Sequence, residues 1–210
     1  MRVLVTGASR GIGAALLTEG RARGHEVVGT SREGADGLMR LDVTDACLQT
    51  ACASATGRID ALICNAGVYL DKGQDFGDLT AATLNATFAA NVTGVALTIQ
   101  AQMKNLSDGG RIAVIASAMG RQSRTPGNAF AYRASKAAAI NLALNLAAML
   151  RPRGIAVAAY HPGWVRTDMG GAGADISAKD SARGLWDRVE TLDLAASGAF
   201  LNYDCTPLDL

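Results

Sequence analysis

Short, uninterrupted apolar segments alternate with longer Ala- and Leu-rich segments along almost the whole chain. Apolar runs without polar alternation are typical of strands in a parallel sheet that helices cover on both faces. The pattern therefore predicts an α/β fold, a single-domain, Rossmann-like, doubly wound parallel sheet with helices on both faces. The predicted strands are residues 3–6, 27–30, 38–41, 61–64, 112–116, 155–160 and 198–201. The predicted helices are residues 11–23, 45–55, 79–106, 129–150 and 178–192.

The length and charge of the chain narrow its possible functions. Its 210 residues suffice for one domain with a sizeable core, so residues 1–210 are predicted to form a single domain. Lys and Arg total 20 against 19 for Asp and Glu, which gives a net charge of +1. This balance lacks the basic surface of a nucleic-acid binder or of a protein that binds acidic membranes, and we expect neither partner.

Cysteine and histidine usage bears on the compartment and on metals. The four cysteines include no CxxC pair and only two histidines occur, so neither a disulfide framework nor a metal site is expected. The first residues lack the apolar stretch and the cleavage site of a signal peptide. The uncharged run 137–150 is too short to cross a bilayer. We therefore expect a cytoplasmic protein.

The segment between the first predicted strand and helix, residues 6–13, reads Thr-Gly-Ala-Ser-Arg-Gly-Ile-Gly. Glycines there let the backbone turn tightly and approach a diphosphate, which the free N–H groups of the helix N-terminus stabilise. The GxxxGxG spacing differs from the GxGxxG of the commoner dinucleotide fingerprint. Taken alone, the segment is also compatible with an ordinary glycine-rich turn.

The same segment matches a second motif. Gly7, Ser9 and Gly11 form GxSxG, the nucleophile elbow of serine hydrolases, and His161 follows in the order that such enzymes use. The match follows the very first strand, however, so no upstream loop can provide an oxyanion hole. A serine hydrolase therefore ranks third among our functional hypotheses.

Chemistry-bearing residues follow the later strands. The segments that begin at Asp42, Asn65, Ser117 and Pro162 each follow a predicted strand. In a doubly wound sheet, the carboxyl ends of the strands face one ligand crevice. We therefore expect these segments to border a single site.

Tyr132 and Lys136 are spaced i, i+4, so they share one face of the helix that follows the fifth strand. A nearby ammonium stabilises a phenolate, which makes tyrosine a better acid and base near neutral pH. An exposed Tyr–Lys pair is the commoner reason for such spacing. The combination with Ser117 and the glycine-rich turn favours a catalytic group.

With these segments in order, the sequence resembles the short-chain dehydrogenase/reductase family over nearly its whole length. The matching segments are TGASRGIG at 6–13, LDVTD at 41–45, NAG at 65–67, NVTG at 91–94, SAMG at 117–120, YRASK at 132–136 and PGWVRTDM at 162–169. The brief tail and the ending SGAFLNYDCTPLDL are most similar to the small C-factor-like members of the carbonyl-reductase type. Cys205 stands in that ending where a glycine is expected.

The resemblance implies four catalytic residues. Tyr132 would be the general acid that protonates the substrate oxygen, and Lys136 would lower its pKa and bind the nicotinamide ribose. Ser117 would hold the carbonyl oxygen and stabilise developing negative charge. Asn91 would hold a water that links Lys136 to solvent. From the residues alone, Asn91 is more readily a solvent-facing helix residue or an internal cap.

The resemblance also implies cofactor contacts, with Tyr132 and Lys136 among them. The diphosphate would lie against Gly7, Ser9, Arg10, Gly11, Ile12 and Gly13. Asp42 and Val43 would flank the adenine, and Asn65, Ala66 and Gly67 would support its ribose. The nicotinamide would contact Pro162, Gly163, Val165 and Thr167.

The second strand indicates which cofactor is preferred. An acidic residue at its end would bind the ribose 2′-OH of NAD(H), but Ser31 and Arg32 stand there instead. Arg10 and Arg32 could together bind a 2′-phosphate, with Ser31 beside them. NADP(H) is therefore predicted over NAD(H). Either arginine could instead be an ordinary solvated surface charge.

These inferences predict an NADP(H)-dependent oxidoreductase that interconverts a carbonyl compound and a secondary alcohol. The alternative from another class is a cofactor-binding protein that acts in signalling, because C-factor-like relatives are associated with signalling. The Gly-rich residues 169–174 predict a lid over a small-molecule substrate, assigned to about residues 166–185. The Ala-rich helices 79–106 and 129–150 resemble those through which family members form homodimers and homotetramers.

Overall fold

A computed structural model describes all 210 residues of the protein. One parallel sheet of seven strands runs through the chain, in the order β3-β2-β1-β4-β5-β6-β7. The strand order reverses direction between β1 and β4, as in a doubly wound fold. Helices cover both faces, and the predicted fold class is confirmed.

The elements follow the predicted order. The strands are β1 (Arg2–Val5), β2 (Glu26–Ser31), β3 (Met39–Arg40), β4 (Ile59–Cys64), β5 (Leu106–Ile115), β6 (Ala156–His161) and β7 (Phe200–Asn202). The helices are α1 (Gly11–Ala22), α2 (Ala46–Thr56), α3 (Ala81–Phe88), α4 (Gly94–Gln102), α5 (Phe130–Leu150) and α6 (Ala178–Thr191). A π-helical segment, Ala89–Thr93, joins α3 to α4 without a break.

The apolar strands separate two cores. Alternate residues of β1 point to opposite faces, with Val3 and Val5 in the core beneath α1 and α6, and Leu4 in the core on the other side. Trp186 of α6 lies fully buried and donates its indole N–H to the carbonyl of Leu16 at 2.9 Å. Since strands buried on both faces must be apolar throughout, this arrangement explains the continuous apolar runs.

The long helix predicted for residues 79–106 is shorter in the structure. It begins after Thr80, whose side chain accepts from the N–H of Thr83, and α4 ends at Gln102. Asn105 ends the helix by donating its amide to the Gln102 side chain and to the carbonyl of Ala53. The chain then enters β5 at Leu106 rather than at residue 112, because a bulge admits the polar run 107–110 into the strand.

The predicted lid, residues 166–185, is only partly irregular. Helix α6 begins at Ala178 and buries Ser181, Ala182 and Leu185, so its first turns belong to the packed core. The Ser177 hydroxyl caps this helix by accepting from the N–H of Asp180. The irregular part of the predicted lid therefore ends where α6 starts.

The helix Ala81–Gln102 is long and apolar enough to cross a membrane by length and composition alone, with a mean hydropathy of 1.2. Core helices of water-soluble proteins meet the same criterion. This helix packs on α2, α5 and β4 within the fold. Within the fold, 33% of its most apolar 18-residue window is buried.

Cys205 has a φ of +78°, in the left-handed region that disfavours residues with a Cβ. This geometry explains why a glycine is expected at this position. We expect Cys205→Gly to raise the free energy of unfolding by about 1 kcal/mol, since glycine adopts this conformation without steric cost. Thermal unfolding of the two proteins measures the change, and a lower melting temperature for the variant would contradict it.

Candidate active site

The glycine-rich turn leaves β1 and enters α1 at the carboxyl edge of the sheet. Gly7 has a φ of +66°, and a Cβ there would lie 2.8 Å from the Ala66 Cα atom. A Cβ on Gly13 would collide with the Gly7 carbonyl oxygen. Ile12 packs against the core beneath α1. Only glycine fits at positions 7 and 13. The turn therefore lies close to the segment that follows β4.

No side chain caps the N-terminus of α1. The residue before the helix, Arg10, makes no capping hydrogen bond, and the first turn holds no acidic residue. The N–H groups of Gly11, Ile12 and Gly13 belong to this first turn, where helical N–H groups lack intrahelical partners. The turn therefore offers N–H donors and a positive helix end to an anionic group, which fits a dinucleotide diphosphate.

The segment after β4 holds this turn in place. Asn65 donates its amide to the carbonyl oxygens of Thr6 at 3.0 Å and Gly7 at 2.9 Å. The Thr6 hydroxyl accepts in return from the N–H groups of Asn65 and Ala66. Asn65 and Ala66, which the sequence analysis assigned to the ribose, are thus bonded to the turn in this structure.

The end of β2 and the segment after β3 carry the residues predicted to contact the adenine and the 2′-phosphate. The buried Ser31 hydroxyl accepts from the N–H of Gly34 at 3.0 Å, while Arg32 is exposed. The N–H and hydroxyl of Thr44 lower the pKa of Asp42, and the charge of Arg32 contributes to the same shift. Val43 is buried, and its carbonyl accepts from the Gln49 amide. Arg32 therefore lies within electrostatic reach of Asp42.

Arg10 has a different partner. Its guanidinium donates to the carboxylate of Asp168 at 2.8 Å, and the side chains are 75% and 78% exposed. Arg10 and Arg32, which we expected to act together, thus do not share a partner in this structure, since Arg10 pairs with Asp168 and Arg32 acts on Asp42 only through its charge. Asp168 lies within the PGWVRTDM segment, but its contact with Arg10 was not predicted.

The loop after β6 lies over the glycine-rich turn. A Cβ on Gly11 would lie 3.2 Å from the Thr167 Cγ2 atom. Pro162 is buried, and its carbonyl accepts from the Ser181 hydroxyl at 2.6 Å. Buried Val165 forms a β-bridge with Ile176. The predicted nicotinamide-side residues therefore border the same crevice as the turn.

Gly163 lies in this loop with a φ of +85°, and a Cβ there would lie 2.5 Å from the Ile176 Cδ1 atom. The loop returns to Thr167, whose hydroxyl accepts from the N–H of Gly170 at 3.1 Å. Trp164 is 53% exposed and donates its indole N–H to the Gly170 carbonyl. Trp164 is thus a surface residue of the loop rather than a core residue beneath it.

Tyr132 and Ser117 meet at the carboxyl end of β5. Burial raises the pKa of Tyr132 to about 12, and a hydrogen bond with the Ser117 side chain lowers it in part. The predicted depression of the pKa of Tyr132 by Lys136 is not found in this structure. The phenol therefore keeps its proton across the neutral range. It lies beside the Ser117 hydroxyl, which can donate a hydrogen bond to the same substrate oxygen.

Lys136 is buried one turn further along α5. Its Nζ atom lies 5.7 Å from the centroid of the Tyr132 ring and donates to the Ile115 carbonyl at 2.9 Å. Burial lowers the pKa of Lys136 to about 8. Its positive charge is therefore partial at slightly alkaline pH, and the ammonium is held by a backbone carbonyl rather than by the phenol.

Asn91 lies in the π-helical segment and is 1% exposed, which rules out a solvent-facing position. Its side chain accepts from the N–H of Val68 and donates to the Val68 carbonyl and the Ser135 hydroxyl. A Cβ on Gly67 would lie 3.0 Å from the Asn91 Oδ1 atom and 3.5 Å from Lys136 Nζ. Gly67, Asn91 and Lys136 are therefore brought together, although the predicted place of Gly67 is at the adenine ribose.

The hydrolase motif has no catalytic partners in the structure. Ser9 is exposed and makes no side-chain hydrogen bond to either histidine. His25 bonds to Glu190 on the far side of α1. Burial and the charge of Arg121 lower the pKa of His161 to about 4, and its Nδ1 atom has no partner. Ser9 thus lacks an activating base.

Two residues next to Tyr132 were not predicted from the sequence. Tyr69 stacks on the Tyr132 ring at a centroid distance of 4.4 Å. The carboxylate of buried Asp71 accepts from the N–H groups of Ala131 and Tyr132. Both lie in the irregular segment after β4, where no periodicity indicates which side chains turn inward.

The chain is similar to known proteins over most of its length. The family model described as "short chain dehydrogenase" matches residues 1–175. The C-signal protein of Myxococcus xanthus is 38% identical over 172 residues, which cover 80% of this chain and 98% of that protein.

Two solved structures share the whole fold. The NADPH-bound carbonyl reductase from chicken fatty liver superposes with a TM-score of 0.91 at 27% identity, covering 100% of this chain and 98% of the other. The carbonyl reductase Sniffer of D. melanogaster has a TM-score of 0.94 at 23% identity, covering 100% and 99%. The second likeness concerns the fold alone.

Proposed function

The chain belongs to the short-chain dehydrogenase family of oxidoreductases, and from this premise we propose that it is an NADP(H)-dependent reductase of carbonyl compounds. The observation that carries the proposal is the meeting of Ser117, Tyr132 and Lys136 at the edge where the uncapped glycine-rich turn begins α1. A chicken-liver carbonyl reductase with this fold was solved with NADPH bound, which supports the choice of cofactor.

A nicotinamide cofactor, when bound, supplies or accepts the hydride. The chain's own residues would supply the proton and the geometry. Tyr132 holds a proton at its phenol oxygen through the neutral range, because burial keeps its pKa high. It would donate this proton to the substrate oxygen, while the Ser117 hydroxyl donates a hydrogen bond to the same oxygen.

The remaining residues would hold the cofactor. The first turn of α1 would bind the diphosphate, and the close approach that Gly7 and Gly13 allow would admit it. Gly67 leaves space beside Lys136 Nζ, where a ribose could accept a hydrogen bond from the ammonium. Asn91 would act in this arrangement through the backbone of the loop it holds.

A paired titration tests the proposal. Purified protein is titrated with NADPH and with NADH, following nicotinamide fluorescence, and is then assayed for NADPH oxidation with a panel of small and bulky aldehydes and ketones. We expect tighter binding of NADPH and oxidation with at least one carbonyl compound. Binding of neither cofactor would overturn the proposal.

The charge of Lys136 makes the reaction pH-dependent. The pKa of about 8 means that Lys136 is charged below pH 8 and neutral above it, whereas Tyr132 stays protonated. We expect kcat/KM for carbonyl reduction to fall as pH rises through about 8, because kcat/KM reports ionisations of the free enzyme. The residual activity of Lys136→Met should lack this falling limb. A flat wild-type profile from pH 7 to 10 would contradict the assignment.

A signalling role is the second candidate. The observation in its favour is the similarity to the protein named C-signal, which this chain matches over 98% of that protein's length. The intact catalytic geometry argues for an enzyme instead. A cell-based signal that persisted in full with Tyr132→Phe would favour the signalling role.

Assembly and location remain predictions. A shallow apolar groove of about 330 Å³ runs along the surface between α4 and α5, the two helices expected to pair in a homodimer or homotetramer. The groove is lined by Ala96, Ile99, Gln100, Met103, Leu142, Leu146 and Met149. Light scattering measures the mass in solution, and a monomer at high concentration would reject the prediction.

A cytoplasmic location is likewise proposed, to be tested by fractionation.

A further inference from the structure

The helix that carries Tyr132 has no cap of its own. The residue that precedes α5, Ala129, has a φ of +53° and offers no side-chain acceptor, and the first turn holds no acidic residue. The first N–H groups of a helix have no intrahelical partners and must be satisfied from elsewhere. Tyr132 is the third residue of α5, so its position depends on the turn that lacks a local cap.

Asp71 supplies the cap from a distant segment. One carboxylate oxygen accepts from the N–H of Ala131 at 2.7 Å, and the other accepts from the N–H of Tyr132 at 3.2 Å. Asp71 is 1% exposed, and a buried carboxylate is tolerated only where such donors compensate it. The positive end of the helix stabilises the same negative charge. The carboxylate therefore bonds directly to the backbone of Tyr132.

The segment that holds Asp71 is also connected to α5 at a second point, through the Asn91 side chain. Both backbone groups of Val68 bond to the Asn91 side chain, which also donates to the Ser135 hydroxyl. Between these anchors, the Tyr69 ring stacks on the Tyr132 ring at an interplanar angle of 20°. Residues 68–71 thus contact the first turns of α5 directly through the Tyr69 ring and the Asp71 carboxylate, and indirectly through the Asn91 side chain.

We propose that Asp71 is a positioning residue for Tyr132, which holds the first turn of α5 so that the phenol meets the substrate oxygen beside Ser117. The proposal rests on the reductase function proposed above. Asp71 touches neither substrate nor cofactor in this role. It acts through the backbone N–H of Tyr132, and its loss should impair the proton-donating step more than cofactor binding.

The first experiment separates kcat from cofactor binding. For Asp71→Ala we expect kcat for carbonyl reduction to fall at least about 10-fold, because small misplacements of a reacting group are costly. The Kd for NADPH should stay within about twofold, because the diphosphate contacts lie on α1. Asp71→Asn keeps one acceptor oxygen and should lose only about threefold to fivefold in kcat. A kcat within twofold of wild type for Asp71→Ala would overturn the proposal.

Asp193→Ala is the matched control. Asp193 also accepts from two backbone N–H groups, those of Ala195 and Ala196, each at 2.9 Å. It follows α6 in a turn whose Leu192 carbonyl accepts from Arg111, and Arg111 pairs with Ala156 at the start of β6, at the edge of the sheet opposite the site. We expect a lower melting temperature with unchanged kcat. An equal loss of kcat in both alanine variants would show that Asp71 contributes only to the stability of the fold, and it would overturn the proposal.

A second measurement needs no substrate. Amide hydrogen exchange of Ala131 or of Tyr132, followed by NMR, should be at least about 10-fold faster in Asp71→Asn, since one of these two N–H groups loses its acceptor. Unchanged exchange would overturn the proposal, and this variant also decides the matter if Asp71→Ala does not fold. A wild-type protein that binds NADPH but reduces no carbonyl compound would count against the proposed function, and the exchange data would still decide the role of Asp71.

Discussion

Tyr132→Phe should lower kcat for carbonyl reduction by about 10³-fold, the range that a positioned general acid contributes. The change removes only the phenol oxygen, and the ring can keep its stacking on Tyr69 at 4.4 Å. The helix and its cap involve the backbone of residue 132, so the fold should persist. NADPH titration should give a Kd within about twofold of wild type, because the diphosphate contacts lie on α1. Steady-state kinetics at pH 7 measures the effect.

Tyr160→Phe is the matched control for this prediction. Tyr160 is buried in the core beneath α6, on the other face of the sheet from α5, and it undergoes the same chemical change. We expect its kcat to match that of wild type. A Tyr132→Phe variant within tenfold of wild type would show that the proton comes from another group.

Arg10→Ala combined with Arg32→Ala should weaken NADPH binding by about 100-fold, since each guanidinium loses a charge-assisted contact with the 2′-phosphate. NADH lacks that phosphate, so its Kd should change by less than about threefold, and the preference should approach unity. Because both arginines are exposed, the wild-type preference should also weaken as salt is raised. Fluorescence titrations at two ionic strengths measure both effects. An unchanged NADPH/NADH affinity ratio would refute the assignment.

Asp168 and Arg21 provide the controls. Asp168 contacts the guanidinium of Arg10 and would compete with a 2′-phosphate for it. Asp168→Asn should therefore strengthen NADPH binding several-fold without affecting NADH. Arg21 is an exposed arginine in the last turn of α1, away from the glycine-rich turn, and Arg21→Ala should leave both affinities unchanged.

The local features of the site were predictable because their spacing in the chain equals their spacing in an element. Tyr132 and Lys136 share a helix face through the i, i+4 relation, and Gly7 and Gly13 belong to one short segment that leaves β1 and begins α1. The strand ends that carry Asn65 and Ser117 were predictable because parallel strands end at one edge. The start of β5 was not, since a polar run entered the strand through a bulge.

The pKa values of Tyr132 and Lys136 depend on how the folded chain buries these side chains. The i, i+4 spacing predicted that Lys136 lowers the pKa of Tyr132, but it contains no information about burial. In the folded protein, burial dominates both residues, raising one pKa and lowering the other. The burial of Asn91 also depends on the packing. From the residues alone it is more readily a solvent-facing helix residue or an internal cap, whereas in the structure it lies buried in the π-helical segment.

The α/β alternation, the glycine-rich turn and the identity of the groups at the strand ends could be predicted from the sequence, because these depend on contacts between near neighbours. The cap that Asp71 forms on the helix of Tyr132 and the contact of Asp168 with Arg10 became evident only in the folded protein. Asp71 lies 61 residues before Tyr132, and Asp168 lies 158 residues after Arg10; both carboxylates lie in irregular segments. No periodicity specifies the direction of a side chain there, so the pairing follows from how the whole sheet packs its helices and loops.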